Sequence, residues 1–109
     1  MPRAATTSDV FNAIAETRRR DILAFLADGE HAVSDIVDRF EMSQPSVSKH
    51  LRVLAGVGLV DARRDGQRVL YRTNAEALRP IHEWTGRFER YWGRQLLRVK
   101  ERAERKGRA

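Results

Sequence analysis

The most constraining feature of this sequence is a pair of short helix patterns separated by only two residues. Ser34 and Ser43 can each cap a helix, and only Glu41 and Met42 lie between the first helix and the second cap. Pro45 falls in the first turn of the second helix, where a missing N–H costs nothing. Two short helices joined by so tight a turn predict a helix-turn-helix.

The second of these helices, predicted from residue 44 to about residue 55, has two different faces. Val47, Leu51 and Leu54 share one apolar face at about 100° per residue. The opposite side is small, polar and basic, and carries Pro45, Lys49 and Arg52, flanked by Ser46 and Ser48. The helix therefore packs on a core through one side and presents the other to a partner or to solvent.

A β-hairpin is predicted directly after this helix. Residues 59–64 and 67–73 read as strands, joined by Asp65-Gly66, the strongest short hairpin signal. Val69 and Tyr71 alternate with Arg68, Leu70 and Arg72, so one face of the hairpin can pack on the core. Arg63, Arg64 and Arg68 cluster at the tip.

Aromatic residues at three- and four-residue spacings mark a long last helix, predicted from Pro80 to beyond Lys100. The apolar stripe of this helix includes Ile81, Trp84, Phe88, Tyr91 and Trp92. Some 22 residues span about 33 Å, comparable with the diameter of a small domain. Because one such domain cannot cover the whole stripe, we predict that a second copy of the chain covers it, together with Phe11 and Ile14 of a short first helix. Ser8 can cap that first helix, and Thr17 can cap a second helix that follows it.

The composition indicates one folded domain and excludes several chemistries. The 109 residues are 41% apolar and 33% charged, and they include no cysteine, so there is no disulfide framework, thiolate zinc site or cysteine nucleophile. No Ser-His-acid spacing or Gly-rich phosphate loop points to an enzyme. With no apolar leader and no apolar run of membrane length, we expect a soluble cytoplasmic protein that makes no membrane contact.

The net charge of +6 is unevenly distributed along the chain. After an acidic start, residues 43–72 carry six basic and two acidic groups, and residues 94–109 carry seven and two. Clustered Lys and Arg favour a polyanionic partner, because they release counterions condensed on phosphates. The alternative is a well-solvated surface with a basic tail.

The polar face of the second helix has the residue types that read DNA. In a helix-turn-helix the start of this helix enters the major groove, where Gln44 can pair with adenine. Ser46 and Ser48 suit bases or phosphates, and Lys49 and Arg52 suit phosphates. Any amphipathic surface helix also has a polar side, but the order of helix, tight turn, polar helix and basic hairpin favours DNA binding.

These segments resemble the ArsR/SmtB family of bacterial winged helix-turn-helix repressors. The resemblance covers about residues 9–95 and is strongest in SQPSVSKHLRVLAGVGLVDARRDGQRVLYR, residues 43–72. It implies a homodimer built from the first and last helices, operator binding at a promoter, and usually repression of the protein's own operon. Its DNA-reading positions correspond to Gln44, Ser46, Ser48 and Lys49, with Arg64, Gln67 and Arg68 in the hairpin, which is the wing.

The sequence departs from the family at both of the family's metal sites. Metal-sensing members have a cysteine pair where this chain reads VSDIVDRF, and the second family site needs a His or Glu where Gly93 follows His82. Zn²⁺ takes about four ligands, which His82 and its neighbours do not supply. We therefore expect no metal and no cofactor, and either an unknown small-molecule effector or none.

Of the other histidines, His31 is predicted in a surface loop and His50 in a structural hydrogen bond rather than a phosphate contact.

These inferences combine into one expected protein. The fold is mainly α with one β-hairpin, a winged helix-turn-helix that is dimeric through its first and last helices. It is a single domain, residues 1–109, with a DNA-binding core at about 9–73, a dimerisation helix at 74–99 and a basic flexible tail at 100–109. We expect a sequence-specific, autoregulatory repressor that binds a palindromic operator in double-stranded DNA without responding to metal.

The alternatives are a non-specific nucleic-acid-binding or architectural protein, a metal- or small-molecule-responsive repressor, and a protein that binds only another protein. The predicted DNA-binding residues are Ser43, Gln44, Ser46, Ser48, Lys49, Arg52, Arg63, Arg64, Gln67 and Arg68, and the predicted dimer residues are Phe11, Ile14, Ile81, Trp84, Phe88, Tyr91 and Trp92.

Overall fold

The computed structural model describes residues 6–107, in which helices surround a small antiparallel sheet. In chain order the elements are α1 (Thr7–Ile14), α2 (Thr17–Ala27), β1 (His31–Ala32), α3 (Val33–Phe40), α4 (Gln44–Gly56), β2 (Val60–Asp65), β3 (Arg68–Thr73), a 3₁₀ turn (Ala75–Leu78), α5 (Arg79–Gly86) and α6 (Glu89–Gly107). The mainly helical fold with a hairpin is as predicted. The order α3, α4, β2 and β3 is that of a winged helix-turn-helix.

The first helix begins two residues earlier than Ser8, the predicted cap. Thr6 caps α1: its Oγ1 accepts the Asp9 N–H at 3.2 Å, and the Asp9 carboxylate accepts the Thr6 N–H at 2.9 Å. This reciprocal pair satisfies two backbone donors at the helix start. In α2, Thr17 is the first helical residue rather than the cap, which is Glu16.

The predicted cap of α3 is also wrong, whereas the cap of α4 is confirmed. The helix α3 begins at Val33 because the Asp35 carboxylate accepts the Ala32 N–H at 3.0 Å, so Ser34 already lies inside it. Ser43 caps α4 through its Oγ, which accepts the Ser46 N–H at 3.3 Å.

The turn between α3 and α4 depends on one residue in the left-handed region. Glu41 ends α3 with a φ of 53°, the only non-glycine residue of positive φ in the described part of the chain. The next N–H, that of Met42, returns to the Val37 carbonyl at 3.3 Å. This closes the last turn of α3 and directs the chain into α4.

The sheet contains one strand that the sequence pattern did not reveal. The short strand β1 pairs with β3, giving the order β1-β3-β2. Ala32 lies opposite Leu70, and both side chains are buried. Leu70 is therefore packed, although the alternating pattern placed it on the side away from the core. Tyr71 is half-buried against the core, as predicted. Asp65 pairs with Arg68, so the loop of the hairpin is residues 66–67 rather than the predicted 65–66.

One hydrophobic core fixes the position of α4. The fully buried side chains come from three helices, α2, α3 and α4, and from the chain between α4 and β2. They are Ile22, Leu26, Ile36, Val47, Leu51, Leu54 and Leu59. Three of these, Val47, Leu51 and Leu54, are the predicted apolar face of α4. The opposite side of this helix is thereby turned outward.

The predicted single last helix is two helices. The chain leaves α5 at Gly86, and the Phe88 N–H bonds the Thr85 carbonyl at 3.0 Å instead of continuing the α pattern. Glycine is a poor helix former, and the Thr85 hydroxyl donates to the His82 carbonyl at 3.1 Å, a contact that bends helices. Beyond the break, α6 is helical through Gly107, although fraying was predicted from Lys100; residues 108 and 109 lie outside the described residues.

Candidate nucleic-acid interface

The outward side of α4 gathers the polar residues that the sequence singled out. Ser43, Gln44, Lys49 and Arg52 are exposed, and Ser46 and Ser48 are half-buried at the edges of this face. Because α4 is anchored by its apolar face, these side chains project from a rigid support. Their hydroxyl, amide, ammonium and guanidinium groups are of the types that hydrogen-bond to base edges in the major groove and to the flanking phosphates.

The wing, which we define as residues 60–73, adds basic side chains after α4. Arg64, Gln67 and Arg68 are exposed near its tip, where Gly66 takes a φ of 65°. A glycine of positive φ at the first loop position is typical of a type II′ hairpin. Arg68 lies 3.9 Å from Asp65 across the tip, a long and exposed ion pair.

Arg63 differs from the other arginines of the wing because it forms a short, hydrogen-bonded ion pair with a residue outside the wing. Its Nε lies 2.5 Å from Glu30 Oε2, and the two side chains are 57% and 30% exposed. The hydrogen bond from Arg63 lowers the pKa of the Glu30 carboxyl below its usual value, and Glu30 in turn raises the pKa of Arg63. Of the predicted DNA-binding residues, Arg63 therefore has the shorter pairing with a carboxylate, 2.5 Å against 3.9 Å for Arg68 and Asp65.

Two histidines, His50 and His31, pack against other side chains of the fold. His50 is buried at 8% exposure, with Nε2 3.4 Å from Glu16 Oε1, as its predicted structural role requires. His31 lies in β1 rather than in a loop, stacked on Phe25 at 4.1 Å between ring centroids. The role of Glu16 was missed, because no local pattern links it to a residue 34 positions away.

The first and last helices bring the predicted dimer residues together in part. Trp84 meets Phe11 of α1 edge-on at 5.8 Å and Phe88 at 5.4 Å. We define the aromatic surface as Phe11, Trp84, Phe88, Tyr91 and Trp92. It is largely exposed, because its four residues in α5, in α6 and in the turn between them are 40–54% accessible. Ile14 and Ile81 instead are half-buried and line an adjoining apolar groove of about 300 Å³.

Residues 6–107 contain neither a cluster of metal ligands nor a membrane-spanning helix. His82 is exposed on α5, and no group of three or more His, Cys, Asp or Glu side chains in this range could hold a metal ion. None of the helices in the same range combines the length and the apolarity that crossing a membrane requires.

A helix-turn-helix with an exposed polar second helix, followed by a basic wing, defines the class of winged helix-turn-helix regulators. The family model described as "Bacterial regulatory protein, arsR family" matches residues 16–62, which include α2, α3, α4 and the start of the wing. The chain belongs to this arsR family of bacterial regulatory proteins. It is thus a transcriptional regulator and not an enzyme, as the sequence indicated.

Characterised relatives and a solved structure support this assignment. The chain is 35% identical to the transcriptional repressor SdpR of Bacillus subtilis over 71% of this chain and 86% of that protein. It is 35% identical to the transcriptional activator HlyU of Vibrio cholerae over 68% of each. A homodimeric winged helix-turn-helix DNA-binding domain from Mycobacterium bovis, described as a possible ArsR-family regulator, aligns with a TM-score of 0.64 and 34% identity over 74% of this chain and 78% of that one.

Proposed function

We propose that this protein is a homodimeric, sequence-specific repressor that binds a palindromic operator, including one at its own promoter, and does not respond to metal. The observation that carries the proposal is the exposed polar face of α4, held by a fully buried apolar face and followed by a basic wing. Gln44 would read a base edge, and Lys49, Arg52, Arg64 and Arg68 would contact phosphates.

The aromatic surface supports the dimer. Trp84 and Trp92 are each about half exposed, which is unusual for tryptophan unless a partner covers it. A second copy would bury the aromatic surface. The two α4 helices of the dimer would then enter successive major grooves on the same side of the DNA. A palindromic operator follows from the two-fold symmetry of such a dimer.

Metal independence is supported by the ligands that the chain contains. Its sequence has no cysteine, and His82 would need ligands from elsewhere to complete a tetrahedral site. The apolar groove next to Ile14 and Ile81 suits an apolar effector better than a cation.

Fluorescence anisotropy tests this proposal. The full chain is titrated onto its own upstream promoter and onto a scrambled duplex at about 150 mM salt, with EDTA and then with Zn²⁺. We expect tight binding to the promoter alone, unchanged by either addition. Equal binding to both duplexes would contradict sequence-specific autoregulation, and release by Zn²⁺ would contradict metal independence.

A second candidate is non-specific nucleic-acid binding through α6. Arginines recur along this helix at three- and four-residue spacings, and all of them are exposed: Arg90, Arg94, Arg98, Arg102 and Arg105. Removal of residues 100–109 separates the two functions. The repressor retains most of its promoter affinity after this truncation, whereas a protein that binds through α6 loses its affinity, because Arg102, Arg105 and the other basic residues of this segment are removed.

A further inference from the structure

We propose that Glu16 and Arg19 are positioning residues that set the DNA-reading helix α4 relative to the dimer-forming helix α1, acting through His50. The inference rests on the proposed function, because the placement of α4 matters to DNA affinity only if α4 reads DNA. It is carried by an unbroken series of polar contacts from the end of α1 to the buried side of α4.

Arg19 forms the first part of this series. Its Nε donates to the Ala13 carbonyl at 2.5 Å, and its Nη2 donates to the Asn12 carbonyl at 3.3 Å. Carbonyls in the last turn of a helix lack the usual N–H partner four residues further on, so Arg19 completes the end of α1. Its Nη1 reaches Glu16 Oε2 at 2.7 Å, and the side chain is only 16% exposed.

Glu16 links Arg19 to α4, because its carboxylate contacts both Arg19 and His50. One carboxylate oxygen, Oε2, accepts from Arg19, while the other, Oε1, lies 3.4 Å from His50 Nε2. Glu16 is also the N-cap residue of α2. A single carboxylate therefore joins α1, α2 and α4 at one point.

The burial of His50 indicates which ring nitrogen carries the proton. Within residues 6–107, His50 Nδ1 is buried and has no hydrogen-bond partner. A proton on Nε2 can be donated to Glu16 and leaves only a lone pair at Nδ1. The other tautomer would bury an N–H without an acceptor, which is costly. The contact with Glu16 thus favours the Nε2–H tautomer and one orientation of the ring.

The two ends of this network belong to different functional surfaces. The helix α1 carries Phe11, which contacts Trp84 in the aromatic surface, and His50 lies between Lys49 and Arg52 on α4. A change in how a second copy holds α1 moves the carbonyls that Arg19 binds. The network then transmits this change to the orientation of α4.

The test compares variants of the full chain on the duplex that the wild type selects from a random pool. Glu16→Ala and Arg19→Ala remove the network, Glu16→Gln keeps one of the two oxygens, and Arg18→Ala is the control at the neighbouring exposed arginine. We expect roughly tenfold weaker binding for the two network deletions, the size of a lost hydrogen bond to a charged group. Glu16→Gln should lose less, and Arg18→Ala should bind within about twofold of the wild type.

Two further readouts separate positioning from a general structural role. Circular dichroism and sedimentation should show that each variant is folded and dimeric under the binding conditions. The imidazole ¹⁵N shifts of His50 should show a protonated Nε2 in the wild type and a mixture of tautomers in Glu16→Ala.

Several results would overturn the inference. These are wild-type affinity in Glu16→Ala, an affinity loss that only parallels lost folding or dimerisation, and a wild-type His50 protonated at Nδ1. A wild type that selects no duplex from the pool would refute the proposed function itself, and this is seen before any variant is compared.

Discussion

The Arg63 guanidinium on β2 donates to the Glu30 carboxylate, which lies just before β1, over 2.5 Å. The pair ties the wing to the chain that leads into the helix-turn-helix. It also places a negative charge beside one of the arginines predicted to meet DNA.

Removal of the carboxylate should strengthen electrostatic binding to DNA. In Glu30→Gln the guanidinium of Arg63 is released for phosphate contact, so we expect higher affinity for a scrambled duplex and a salt dependence steeper by about one charge. Anisotropy at several salt concentrations measures both. Asp61→Asn is the matched control, because it removes a charge near Arg63 without breaking this hydrogen bond. An equal effect of both substitutions would assign the change to net charge alone.

The Arg63–Glu30 pair also predicts how the stability of the protein depends on pH. Because Arg63 lowers the pKa of Glu30 in the folded protein, the pair contributes its stability at pH values above the usual glutamate range and loses it as the pH falls through the lowered pKa. The contribution is small because the pair is exposed. Carboxyl NMR should show the pKa of Glu30 rise in Arg63→Gln and stay low in Arg64→Gln. A Glu30 pKa that is unchanged by Arg63→Gln would contradict the pairing in solution.

Gln44 should determine base preference at one operator position. Gln44→Ala removes a bidentate side chain from the exposed start of α4, and we expect a loss of about 1–3 kcal/mol with relaxed preference at that position. Lys49→Ala provides the comparison, because a phosphate contact should weaken all duplexes alike and reduce the salt slope. Unchanged specificity in Gln44→Ala would mean that α4 enters the groove differently.

Ser43 should prove to be both a helix cap and a DNA-facing residue. Ser43→Ala removes the oxygen that accepts the Ser46 N–H, so we expect a loss of about 1 kcal/mol in the free energy of unfolding. Ser43→Asp keeps a good cap but adds a negative charge, so stability should be preserved while DNA affinity falls. Chemical denaturation and anisotropy measure the two effects. Normal DNA binding by Ser43→Asp would place this residue away from the phosphates.

Trp84 should dominate the association of two copies. It is half exposed and contacts both Phe11 and Phe88, and a large aromatic anchor of this kind is worth at least about 2 kcal/mol in an interface. Sedimentation equilibrium of Trp84→Ala should show a dimer weakened by about 30-fold or more. Val53→Ala, which alters an exposed apolar side chain of α4, should leave the dimer intact. Unaltered association of Trp84→Ala would move the interface elsewhere.

Local signals were enough to predict the helix-turn-helix and the wing. Ser43 with Pro45 marks the start of α4, and the apolar spacing of Val47, Leu51 and Leu54 orients it, because cap and periodicity act within a few residues. The hairpin was found but shifted by one residue. The Asp-Gly signal placed the loop at 65–66, whereas Gly66 occupies the first loop position.

What could not be predicted depends on contacts between distant parts of the chain. The strand β1 exists because Ala32 and His31 pair with Leu70 and Tyr71, and a two-residue strand has no pattern of its own. The contact of Glu16 with His50 likewise joins residues that are remote in sequence. The break after Gly86 was hidden by the unbroken aromatic rhythm, which continues across it.

The left-handed turn at Glu41 limits how this fold can vary during evolution. One extra residue between Glu41 and Ser43 would lengthen this tight turn and displace α4 from the core that holds Val47, Leu51 and Leu54, so insertions and deletions there should be eliminated. The tip of the wing, where residues 65–68 are all exposed, can change length while the pairing behind it is kept. Divergent descendants of this chain should therefore differ in how far the wing reaches along DNA, while the spacing of the two helices stays constant.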